Sequence, residues 1–295
     1  MSTAAPTAEA AAAPSRTMAG RWRNNERLRA VLASHVFQVG AGILLLWIVC
    51  AIFGPWLVPY NPYHDDLLNT LASPSLAHPF GTDQIGRDVL SRVIIGSRSI
   101  LVVAPLATLL GTVAGTTLGL ITGYYGGVTD MMLSRLIDAL LALPLIIVAL
   151  LALVALGPST FTVIIVIGLI FTPLISRTVR AAVLAERELD YVAAAQLRGE
   201  NGLHIMFVEI LPNVMPPVLV ETTVRLGYAI FTVASLSFLG FGIQPPSADW
   251  GLTISENYDL ITGGYWWTVT FDAIAIASLV VAVNLIADGI QGALE

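Results

Sequence analysis

From residue 36 onward the chain alternates between long apolar runs and shorter polar connections. The runs occupy 36–58, 99–122, 131–156, 160–181, 213–239 and 267–287. Each reaches or exceeds the roughly 20 helical residues that cross a hydrocarbon core of about 30 Å. A segment surrounded by lipid must satisfy its own backbone hydrogen bonds, so the predicted form is helical. The expected fold class is an all-α polytopic membrane protein with six transmembrane helices. Pro105, Pro144, Pro173, Pro216 and Pro217 lie inside these runs or near their starts. They predict kinks or helix interfaces rather than breaks, since neighbouring helices can satisfy the freed carbonyls.

The connections are unequal. Residues 123–130 and 157–159 read as tight turns, whereas 59–98 and 240–266 are long. Residues 1–20 hold mostly Ala, Pro, Ser and Thr, which cannot bury enough surface to offset ordering entropy, so 1–35 is expected to be a disordered, Arg-rich tail. No small-x-small cleavage site follows the first run, so it reads as an uncleaved span.

Only 12% of the residues are charged, about half the share of a soluble domain. All 14 basic residues are arginine. Without a lysine the chain has no Schiff-base chemistry and no P-loop, whose lysine reaches the phosphates. A net charge of −6 with no basic surface argues against nucleic acid. Cys50 is the single cysteine, and His35, His64, His78 and His204 are scattered. No metal-ligand spacing appears, so no metal site is expected. Nor is there a His-Glu-x-x-His pair or a Gly-x-Ser-x-Gly elbow, so no catalytic residue is assigned.

Arginine placement sets the expected orientation. With the N-terminus inside, nine arginines fall on the cytoplasmic side (Arg16, Arg21, Arg23, Arg27, Arg29, Arg177, Arg180, Arg187 and Arg198), against Arg87 and Arg92 outside. That bias predicts an N-in, C-in topology.

The inner connection over 182–212 carries most of the charge of the C-terminal half. A connection that long is usually functional or has secondary structure of its own. Asp190 is a plausible helix N-cap, 191–198 favours helix, and Gly199 supplies a left-handed stop. A further short apolar helix is expected over 203–211. Tyr191, Ala194, Ala195 and Arg198 share one face by 3.6-residue periodicity. Small residues there suit close approach by another surface, and an amphipathic helix lying on lipid headgroups fits equally well.

Ala194-Ala195, three residues, Gly199, nine residues, then 209–212 ending Leu211-Pro212 resembles the coupling motif of ABC-importer permeases, Glu-Ala-Ala-x3-Gly-x9-Ile-x-Leu-Pro. Ala193 stands at the glutamate position and Glu209 at the isoleucine position. Four further blocks resemble the dipeptide, oligopeptide and nickel importer group: His78–Arg92, Gly123-Tyr-Tyr-Gly-Gly127, 234–251 and 284–295. The resemblance implies a permease core over 99–295, a second related permease, two cytoplasmic ATPase subunits and an extracytoplasmic binding protein. No cofactor is expected in this chain; ATP and Mg would be bound by the ATPases. It also implies that Asp190, Tyr191, Ala194, Ala195, Arg198, Gly199, Leu211 and Pro212 couple to an ATPase, with Ala195 in contact with it. Short peptides are the expected cargo and nickel or its chelates the runner-up.

The segment 80–92 reads as a turn at Gly81-Thr82 and a short helix capped by Asp83, with Asp88 and Arg92 at i,i+4. Residues 240–266 are rich in aromatics and acids, suiting either an interfacial belt or a docking lip for the binding protein. Charges within spans are costly unless paired; Arg135 with Asp138 and Glu221 with Arg225 have pairing spacings. Asp138, Glu221 and Asp272 would be the relay of a proton-coupled secondary transporter, the competing class, although no internal repeat supports it. A structural or signalling membrane protein is a second competitor. Ser235, Ser237 and Gly240 are placed to line a pathway, or to serve helix packing.

Overall fold

The computed structural model describes residues 31–294, so most of the predicted tail lies outside the described residues. The main helices are α1 (His35–Leu57), α2 (Val89–Tyr125), α3 (Gly127–Leu141), α4 (Leu145–Leu156), α5 (Thr160–Glu186), α6 (Asp190–Leu197), α7 (Gly202–Phe238), α8 (Trp250–Asn257) and α9 (Trp267–Leu294). Five of them, α1, α2, α5, α7 and α9, are long and apolar enough to cross a membrane; α3 and α4, bent by 89° at their junction, bring the number to six if the pair is one span. Among the described residues there is no sheet, only an isolated bridge between Thr82 and Asp88.

The expected third span over 131–156 is therefore broken rather than kinked. Pro144 lacks an N–H and disfavours helical geometry at Leu143, so α3 ends at Leu141 and α4 starts after the proline. A second difference lies at α2, which begins ten residues before the expected 99. Asp88 caps it, its carboxylate accepting from the Ser91 N–H at 2.9 Å. The connection before α2 is correspondingly shorter, running over 58–88.

The bundle is held most tightly between α2 and α5. Gly111, Gly115, Gly119 and Gly123 recur every four residues and form one stripe on α2. A Cβ on Gly115, Gly119 or Gly123 would lie 2.6–2.7 Å from the Cβ of Ile175, Val179 or Val183 on α5. Small residues at this spacing let two backbones meet where lipid supplies no hydrophobic drive. The α1 helix packs on α9 along most of its length and on α2 near its end: a Cβ on Gly40 would lie 2.6 Å from the Ala282 carbonyl, one on Gly289 2.7 Å from the Phe37 Cβ, and one on Gly54 3.0 Å from Ile95 Cδ1. Trp47 Nε1–H donates to Ser278 Oγ at 2.9 Å. Most other α1 side chains, among them Leu45, Ile52 and Phe53, are exposed.

Candidate functional site

The connection between α5 and α7 is built on the ends of α2 and α5. Arg187 Nη1 donates to the Gly123 carbonyl at 3.0 Å, taking up an acceptor that the end of α2 leaves free. Gly126 has φ +63 and faces the Arg187 guanidinium, where a Cβ would lie 2.9 Å from Nη1. Arg180 forks onto Asp130 with two bonds of 2.6 Å, tying α5 to the first turn of α3. The Gly123–Gly127 block is thus the seat on which the connection rests.

Helix α6 then forms two turns. Its N-cap is Leu189, with no side-chain bond, and Asp190 is the first helical residue; the expected Asp190 cap is corrected. The carboxylate still lies in the first turn, where it complements the helix dipole. At the other end Gly199 has φ +77, its N–H reaching the Gln196 carbonyl and the Glu200 N–H the Ala195 carbonyl. This is a Schellman stop, and it frees the chain to reverse at once. Asn201 caps α7 through the His204 N–H at 2.7 Å, and Gly202 abuts the rings of Tyr124 and Tyr125.

The expected helix over 203–211 is continuous with the next span. Ile205–Ile210 takes a wider π turn, with the Leu211 N–H reaching the Met206 carbonyl. Pro212 follows directly; lacking an N–H, it leaves a ladder position empty next to the register change.

The orientation of α6 corrects one expectation directly. Ala195 is fully buried with Val192 in the cluster that contains Ile205, Met206 and Ile210, so it cannot be the outward contact. The outward face is Asp190, Ala193, Ala194 and Leu197, and Leu197 is 90% exposed. Tyr191 is half-buried and donates to Glu186 at 2.8 Å; burial, with the Glu186 carboxylate beside it, pushes its phenol up to about 12. Arg198 bonds Glu200 at 2.7 Å and Glu209 at 3.2 Å. The unexpected glutamate of the motif is thus the partner of the motif's arginine. Ligand atoms of Glu200, His204 and Glu209 lie within 4.8 Å of one another, but Arg198 already engages both carboxylates. Leu211 is half-buried and Pro212 exposed at the start of the span.

The opposite end of the bundle holds a second polar centre that spacing alone did not reveal. Arg92 is fully buried, and its Nη2 donates to the Ser247 carbonyl, to Thr253 Oγ1 and, at 3.5 Å, to Glu256. Its Nε lies 3.9 Å from Asp83. Arg87 bonds Asp83 at 2.7 Å and Glu256 at 3.0 Å. Burial works against the charge on Arg87, but the two carboxylates hold its pKa above the ordinary guanidinium value.

Two arginines and two carboxylates thus join the 78–92 block to the 240–266 connection. The expected Asp88–Arg92 pair is replaced: Asp88 caps α2 and meets His78 at 2.9 Å. Asp83 accepts from the N–H groups of Ile85 and Arg87, holding a turn rather than starting a helix. Trp250, fully buried, donates to the Val93 carbonyl at 2.9 Å, in a space that Gly96 leaves open. Asp272 is fully buried on α9 within electrostatic reach of Arg92, and neither of its oxygens has a hydrogen-bond partner.

Other expected positions fall as follows. Asp138 lies 3.9 Å from Arg177 on α5 rather than pairing with Arg135 one turn back on α3; both partners are exposed. Glu221 and Arg225 pair at 2.6 Å, with Arg225 over the Tyr228 ring. No hydrogen bond or ion pair among the described residues links any two of Asp138, Glu221 and Asp272. Ser237 is fully buried and its Oγ accepts from the Ile243 N–H at 3.1 Å, so it fastens the turn after α7 and lines nothing. Ser235 borders a shallow groove with Phe231, Phe238 and Ile276, and Gly240, at φ +83, ends the helix.

Comparison with known proteins places these features in context. Residues 115–295 match the family described as binding-protein-dependent transport system inner membrane component. Residues 26–74 match the N-terminal TM domain of oligopeptide transport permease C. The chain is 37% identical to a dipeptide transport system permease protein of Alkalihalophilus pseudofirmus, over 95% of this chain and 91% of that one. It is 37% identical to a di/tripeptide transport system permease protein of Pseudomonas aeruginosa, over 87% and 86%. A probable D,D-dipeptide transport system permease protein of Escherichia coli is 35% identical, over 86% and 85%.

Proposed function

The chain belongs to the family of binding-protein-dependent transport system inner membrane components, and on that premise we propose that it forms one half of the path by which an ATP-driven importer takes up short peptides. It is a multi-pass inner membrane protein and a permease subunit of an ABC transport system. Peptide cargo is carried over from the relatives, whose names specify dipeptides and di/tripeptides. The partners are a second related permease, two ATPases that bind ATP and Mg, and an extracytoplasmic binding protein. This chain adds no cofactor and no catalytic residue of its own.

The observation that carries the reading is α6. It is a two-turn helix fastened at both ends to membrane-crossing helices, and it turns one small-residue face with a fully projecting Leu197 away from the chain. A body held in this way transmits displacement. ATPase closure would move α6, and through α5 and α7 it would bias the spans between inward- and outward-open states. Coupling of this kind needs α6 in the cytoplasm, which the arginine bias favours. Asp190, Ala193, Ala194 and Leu197 are assigned to the contact; Tyr191, Arg198, Gly199, Leu211 and Pro212 shape the frame behind it.

Uptake of labelled dipeptide and of nickel, compared between a deletion strain and its complement, tests cargo. Restored dipeptide uptake with unchanged nickel uptake is the expected result; the converse pattern would move the assignment to nickel. Purification of the chain from membranes should bring down ATPase subunits, whereas a proton-coupled carrier would be recovered without them.

A further inference from the structure

Two cavities meet on the face of the bundle where α1 crosses α2. One, of about 680 Å³, is lined by Tyr60, Asn61, Tyr63, Ser99 and Ser247, among others. The second, of about 650 Å³, is an apolar slot between α1, α2, α7 and α9, lined by Ile48, Ala51, Val102, Leu226, Ile230 and others. They share Pro55 and Arg98. Arg98 is exposed and has no ion pair or hydrogen bond among the described residues. A guanidinium within a span is costly unless an anion meets it. Trp56, Tyr60 and Tyr63 are also exposed beside this junction, the aromatic placement expected at the headgroup level of a bilayer.

We propose that this paired cavity is a binding site for a glycerophospholipid, with the phosphodiester on Arg98 and one acyl chain in the slot. The order of chemistry along the groove matches that molecule: hydroxyl, amide and phenol groups in the first chamber, a single cation at the junction, and hydrocarbon beyond it. The planar guanidinium fork suits two phosphate oxygens. The lipid would fill the slot left between the contacts of α1 with α2 and with α9, and so would fasten α1 to the rest.

The test is photolabelling of the full chain in native membrane vesicles by a phosphatidylglycerol that carries a diazirine on one acyl chain. Label should appear on slot residues such as Ile48, Ala51 and Val102. Arg98→Gln should lower that labelling by about tenfold, the usual size of one charged hydrogen-bonded contact, and Arg98→Lys should restore part of it. Ala51→Trp, which fills the slot without touching the charge, should displace the label from Val102. Arg135→Gln, an exposed arginine elsewhere, should leave labelling unchanged, and the yield of chain in the membrane reports folding for each variant. Equal slot labelling in Arg98→Gln would overturn the proposal. So would crosslinks from the slot to a partner polypeptide, or an Arg98→Gln chain that labels normally while the KM for dipeptide rises, which would assign the arginine to cargo.

Discussion

Replacing Gly119 by Ala puts one methyl group into the contact between α2 and α5. The added Cβ would lie 2.6 Å from the Val179 Cβ and 2.9 Å from the Ser176 carbonyl. Carbon atoms pack best at about 3.5–4.0 Å, so α2 and α5 must part by roughly 1 Å. A gap of that size forfeits a quarter to a half of the dispersion well at neighbouring contacts. Overpacking of this kind typically costs ~1–3 kcal/mol, against which Ala returns up to ~1 kcal/mol of helix propensity. The net expectation is a loss of about 1–2 kcal/mol, measured as the unfolding midpoint in a fixed detergent. Gly42→Ala serves as the control, because a Cβ there meets nothing within 4 Å; it should be neutral or slightly stabilising. Val179→Gly should relieve much of the Gly119→Ala defect, and Val179→Ala, which removes Cγ1 at 2.8 Å but keeps the Cβ at 2.6 Å, should relieve less. If Gly119→Ala were as stable as Gly42→Ala, the glycine ladder would not be the contact that sets this interface.

Three other substitutions probe the two polar ends of the bundle. Ala195→Trp should destroy the packing of α6 on Ile205, Met206 and Ile210, so that limited proteolysis cuts the 187–201 connection; a protected connection would contradict the burial of Ala195. Arg92→Gln should cost about 1–3 kcal/mol, because it takes the buried donor from the Ser247 carbonyl and Thr253 Oγ1 while Arg87 still holds Asp83 and Glu256; the readout is faster proteolysis within 240–266. Asp249 is buried, which raises its pKa above the usual carboxylate value while it caps α8 through the Leu252 N–H. A raised folded pKa means that its contribution is fully present below about pH 4, the unfolded value, and is lost as pH rises through the folded pKa. Asp249→Asn keeps the cap, so its stability relative to the parent chain should increase from acid to neutral pH. A relative decrease over that range would contradict the assignment.

The membrane class, the helical fold and the family were legible because they rest on local signals: run length, arginine placement and short motifs. What escaped were properties of pairs of segments. The Gly111–Gly123 stripe is visible in the sequence as a four-residue repeat, but nothing local says that α5 is the surface it meets. The 3.6-residue period placed Tyr191, Ala194, Ala195 and Arg198 on one face, but the fold splits that group, burying Ala195 and exposing Ala194 and Arg198, because the period alone does not say which side of α6 faces the bundle. The inward side is set by Val192 and Ala195 packing on the π turn ahead of Pro212. Arg92 was paired with its neighbour at i,i+4 because that is what a single helix allows. In the fold it reaches Glu256, 164 residues away. Pro144 broke a helix that was expected only to kink, because Ala142-Leu143-Pro144 turns the chain through 89°.

The central claim, that α6 is the surface through which ATPases drive this permease, is tested most directly at Leu197. Burying a fully exposed leucine contributes about 1.5–3 kcal/mol, or roughly 10–150-fold in affinity. Leu197→Asp should therefore lower the amount of ATPase recovered per permease by at least about tenfold, with the amount of chain in the membrane unchanged. Leu76→Asp, at an equally projecting leucine in the 59–88 connection, should retain it. Undiminished ATPase recovery with Leu197→Asp would contradict the account.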